Sequence, residues 1–171
     1  MLFRSHGPAP VGCGDGTTYC PDAPNTRAQM AVFLLKAKYG FDHVPPPASG
    51  LVFFDVPAAD PFAPWIEELF SLGISNGCGG GNYCPLAPVT RAQMAVFLLK
   101  TLEGSTYVPP TATGTIFGDV PLGSFAADWI EDLYNRSITG GCQASPLLYC
   151  PNQPNTRGQM AVFLAKTFSL Q

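Results

Sequence analysis

The chain's 171 residues suffice to bury one sizeable core. A formal charge of −3, only 12% charged residues and nine dispersed lysines and arginines exclude a nucleic-acid-binding surface, which needs clustered positive charge. No apolar run reaches about 18 residues, so no membrane span is expected.

The opening MLFRSHGPAP lacks the apolar stretch and cleavage site of a secretory signal and reads as a mature or truncated N-terminus. The first recognisable unit is a cysteine loop, Cys13 to Cys20, followed by NTRAQMAVFLLK at residues 25–36. That stretch returns as VTRAQMAVFLLK at 89–100 and NTRGQMAVFLAK at 155–166, with Arg27, Arg91 and Arg157 standing 64 and 66 residues apart. One module is therefore used repeatedly. Thr26, Thr90 and Thr156 are each followed three residues later by Gln29, Gln93 and Gln159, the spacing of a capping box that starts a helix. No polar residue lies between Met94 and Leu99, so each copy is predicted to be a buried strut whose first turn alone stays near solvent. The repeat divides the chain into a partial unit at 1–40, which lacks a leading helix, and fuller units at 41–104 and 105–171. The incomplete unit implies either a longer parent chain or a helix borrowed from a neighbour.

Between the struts, HVPPPASG and YVPPTATG are matching connectors, too rich in proline for helix and predicted to be extended. FFDVP and FGDVP follow, placing Asp55 and Asp119 at equivalent turns. A helix is predicted over 61–72, with Phe62, Trp65, Ile66, Leu69 and Phe70 at helical spacing, and another over 124–136, with Phe125, Trp129, Ile130, Leu133 and Tyr134. Trp65 and Trp129 read first as core filling and second as ligand contacts. Glu67, Glu68, Glu131 and Asp132 read as a solvated face. Each aromatic helix is expected to cover the strut that follows it, which would leave the strut at 27–38 bare and the protein prone to self-association. Next come the plugs GISNGC and SITGGC, then the loops Cys78 to Cys84 and Cys142 to Cys150. Tyr19, Tyr83 and Tyr149 precede the second cysteine of each loop and are expected to anchor it. The repeat favours three local disulfides, which implies an oxidising, extracellular setting. Zinc is the competing reading, disfavoured by long, variable spacings and by having only His6 and His43 as nitrogen donors.

The succession of FxDVP, a Trp-bearing helix, a GIT-like plug, a glycine-rich loop and TRAQMAVFLLK closely resembles the S-layer homology module of bacterial surface proteins, over nearly the whole of residues 12–168. The resemblance implies a mainly α fold of tandem helix-loop-helix units around a pseudo-threefold axis, with the first unit incomplete. It also implies grooves that hold an acidic cell-wall polysaccharide, the Arg of the TRAE-like motif being a principal contact. Arg27, Arg91, Arg157, Gln29, Gln93, Gln159, Asp55, Asp119, Trp65 and Trp129 are the glycan-binding candidates. The chain departs from the family where Gln replaces the usual Glu of that motif, and where Cys78 and Cys84 stand in place of a loop Tyr and Arg.

The expected function is therefore non-covalent anchoring to a bacterial cell-wall polysaccharide at the cell surface, without a cofactor or metal. An arginine in a helix's first turn sits where backbone N–H groups already favour an anion. The alternative is a structural subunit of an extracellular filament or layer that assembles through the incomplete repeat. Catalysis is not expected, because no nucleophile and base recur together.

Overall fold

The computed structural model describes residues 18–170. Among these, five helices carry the fold: α1 (Arg27–Tyr39), α2 (Ala63–Ser71), α3 (Arg91–Glu103), α4 (Ala127–Asn135) and α5 (Arg157–Phe168). One two-stranded hairpin, β1 (Gln143–Ala144) with β2 (Leu147–Leu148), lies inside the third cysteine loop, so the chain is mainly α. No helix among the described residues is long and apolar enough to cross a membrane.

The struts α1, α3 and α5 begin where the Thr-to-Gln spacing requires. Each has its full capping box, the Thr side chain accepting from the Gln backbone N–H while the Gln side chain accepts from the Thr N–H. Every strut contacts the other two. Just before them, a closed circuit of main-chain bonds ties the three copies together: Asn25 N–H donates to the Asn155 carbonyl at 2.8 Å, Asn155 N–H to Val89 at 2.7 Å, and Val89 N–H to Asn25 at 2.9 Å. Met30, Leu34, Met94, Leu98, Met160 and Leu164 fill the centre, all essentially removed from water.

The aromatic helices pack in the direction opposite to the one expected. Here α2 packs on α1, and α4 on α3, so each covers the strut before it. The strut expected to be bare is consequently covered, with Ala31, Val32, Phe33, Leu34 and Leu35 of α1 all buried. On α5, Val162 is 55% exposed while its counterpart Val32 is 3% exposed. The sequence pattern identified the amphipathic helices correctly but carried no information on which of two identical strut faces each would choose.

The acidic residues of α2 and α4 also differ from expectation. They hold the proline connectors in place. Glu67 accepts from the backbone N–H groups of Ser49 and Gly50, both at 2.7 Å. Glu131 does the same for Thr113 and Gly114, at 2.6 and 2.8 Å, and is only 3% exposed. Glu68 meets His43 at 2.7 Å, and Asp132 accepts from the Tyr107 hydroxyl at 2.8 Å, so each connector is fixed at two points. An extended segment has no internal ladder, and these carboxylates satisfy the N–H groups it leaves open.

Burial alone would raise the Glu131 carboxyl, but the N–H donors of Thr113 and Gly114 outweigh it and hold the group below its ordinary value. A depressed carboxylate contributes stability that is in place above its unfolded value of about 4.3 and is lost as pH falls through the lower folded value. Thermal melts taken downward from pH 5 are expected to show this loss. In Glu131→Gln the acid-dependent fall should shrink, from a lower starting stability; an unchanged pH profile would remove Glu131 from this role.

Candidate groove over Arg91

The three repeated arginines are buried. Arg27, Arg91 and Arg157 are 4%, 3% and 1% exposed, which corrects the expectation that the first strut turn lies near solvent. The cause is a contact remote in sequence. Arg27 Nε donates to the Tyr83 carbonyl at 2.7 Å while the Tyr83 hydroxyl donates back to the Arg27 carbonyl at 3.0 Å. Arg91 and Tyr149 exchange the same two bonds, at 2.7 and 2.9 Å, as do Arg157 and Tyr19, both at 2.8 Å. Each guanidinium also lies between two rings, that of Arg91 being 4.8 Å from the Tyr149 centroid and 5.5 Å from that of Phe163. The tyrosines thus anchor the cysteine loops, as expected. Burial pulls the Arg91 guanidinium below its ordinary value, opposed by Tyr149 and Asp119, and Arg27 is displaced downward for the same reason.

The aspartates of the FxDVP turns clamp those loops. Asp55 accepts from the N–H groups of Tyr83 and Cys84 at 2.7 and 2.8 Å, and Asp119 from those of Tyr149 and Cys150, both at 2.7 Å. Inside the loops, disulfides join Cys78 to Cys84 and Cys142 to Cys150. Cys20 is disulfide-bonded as well; the expectation for Cys13 falls outside the described residues. Gly141, at φ +86°, is required where the third loop closes, because a Cβ there would stand 2.3 Å from the Leu148 carbonyl oxygen. Trp65 is buried, with Lys36 5.5 Å from its ring centroid, and Trp129 meets Tyr107 edge-on.

One groove stands out, of about 620 Å³, between the plug at 138–142 and the outer flank of α5. Arg91 lines it, together with Thr139, Gln153, Gln159, Val162 and Lys166. Arg91 Nη2 is buried and has no hydrogen-bond partner among the described residues. Of the sequence candidates, the groove brings together Arg91 and Gln159, with Cys142 at its edge. It does not include Arg27, Arg157, Gln29, Gln93, Asp55, Asp119, Trp65 or Trp129. Sequence reasoning missed Thr139, Gln153 and Lys166; alignment of the plugs and strut ends contained them, but gave no sign of a groove there.

Comparison with known proteins agrees with this architecture. Residues 53–95 match the family model described as the S-layer homology domain. The chain is 28% identical over 107 residues to the Surface-layer 125 kDa protein of Lysinibacillus sphaericus, a match covering 62% of this chain and 8% of that protein. It is 31% identical over 90 residues to a Cell surface protein of Thermoanaerobacter kivui, covering 52% and 12% respectively. The chain therefore spans a small part of the length of these relatives. Its place is the extracellular cell surface, and at residues 53–95 it carries an S-layer homology domain.

Proposed function

We propose that the chain anchors its parent protein non-covalently to a bacterial cell-wall polysaccharide, through an acidic group seated in the groove over Arg91. The observation that carries this reading is the unpartnered Arg91 Nη2 in the groove lining. A buried charged donor left without an acceptor costs more than a neutral one, roughly 1–3 kcal/mol or above, and a carboxylate or phosphate oxygen is the acceptor that best matches guanidinium geometry. Gln153, Gln159 and Thr156 on the walls offer neutral donors and acceptors suited to sugar hydroxyls, and the positive charges of Arg91 and Lys166 outnumber the single carboxylate of the lining, Asp22. The closed circuit of main-chain bonds supports reading the three units as turns about one pseudo-threefold axis. On this reading the two remaining arginines serve mainly to hold loops, and the family's shared motif does two jobs within one chain.

The test is co-sedimentation with purified cell-wall polysaccharide, before and after chemical removal of its acidic substituents. Binding is expected to weaken as salt rises, since charge drives it, and to disappear with the acidic groups. Lys166→Gln alters an exposed side chain, so it should weaken binding about two- to fivefold, the loss of one partly screened charge contact, with an unchanged melting temperature. Equal binding to the neutralised polymer would contradict the reading.

A further inference from the structure

Ser75 and Thr139 occupy the same place in the two plugs, yet their hydroxyls are used differently. Ser75 Oγ accepts from Arg27 Nη2 at 3.4 Å and from the Gly77 N–H at 3.3 Å. Thr139 Oγ1 accepts from the Gly141 N–H at 3.1 Å, and Arg91 Nη2 is left alone. A threonine has fewer accessible χ1 rotamers than a serine, so its oxygen is more firmly committed to one partner.

We infer that the two arginines are not equivalent: of the pair, only Arg91 takes an acidic sugar, because Ser75 already engages the Nη2 of Arg27. The inference rests on the proposed function and adds to it a count of one such site for this pair and the residue that sets it. A chain whose three copies look interchangeable in sequence would then present its repeats for different purposes.

The experiment is a titration of the full chain, labelled with nitrogen-15 at arginine, with methyl glucuronide as a minimal acidic sugar, following the side-chain Nε–H signals. The Arg91 signal should move and that of Arg27 should stay. Thr139→Ser and Ser75→Thr each install the residue that the other plug already carries, so both variants are expected to fold, and melting curves check this. Thr139→Ser should weaken the Arg91 response at least threefold, and Ser75→Thr should make the Arg27 signal respond. Equal responses at both arginines in the native chain, or no effect of either exchange, would overturn the inequality while leaving the Arg91 site standing. Silence at both arginines, together with failure to bind the acidic polymer, would overturn the proposed function itself.

Discussion

Arg27→Ala is expected to be among the most destabilising single changes in this chain, costing about 3–5 kcal/mol, the range for truncating a large buried side chain to alanine. The side chain is enclosed by Tyr83 and Phe97, donates to the Tyr83 carbonyl and reaches Ser75. Truncation leaves that carbonyl without its donor and opens a cavity beneath the second cysteine loop. For a chain of this size, about 2–4 °C of melting temperature is lost per kcal/mol, so a fall on the order of 10 °C should appear in calorimetry. A change below about 2 °C, less than one kcal/mol on that scale, would show that the guanidinium contributes little to the fold. The same burial explains why Arg91→Ala is a poor probe of binding and why Lys166 is the cleaner one.

The opposite sign is expected at the centre of the hydrogen-bonded circuit. Asn25 and Asn155 are fully buried, and both side-chain polar atoms of each lack a partner among the protein groups. The third copy has Val89 in that position, also fully buried. Replacing Asn25 and Asn155 together by Val should therefore stabilise, by about 1–3 kcal/mol for each unsatisfied side chain removed. The backbone circuit uses only main-chain atoms and survives the exchange. A melting temperature that falls in the double variant would contradict this and show that bound water supplies the missing bonds.

What could be read from the chain alone was whatever is local. Thr and Gln three residues apart specify a capping box, and all three form. The aromatic spacing gave α2 and α4 within three residues of their observed ends. The local pairings Cys78 with Cys84 and Cys142 with Cys150 followed from the repeat. What failed depended on contacts across the chain. Arg27 meets a tyrosine 56 residues away, and Arg157 one 138 residues away, so their burial leaves no trace in the surrounding sequence. Glu67 and Glu131 looked solvated because their partners are backbone N–H groups, which no sequence pattern displays. The loop clamps of Asp55 and Asp119 are hidden for the same reason, since their partners are also backbone N–H groups. The groove was not legible either, since an internal alignment treats all three struts alike.

The most direct measurement is a crystal structure of the chain with an acidic disaccharide from the wall polymer. A carboxylate oxygen is expected within about 2.7–2.9 Å of Arg91 Nη2, the distance of a charge-assisted bond, with sugar hydroxyls against Gln153 or Gln159. A disaccharide bound elsewhere, with only ordered water beside Arg91 Nη2, would contradict the account.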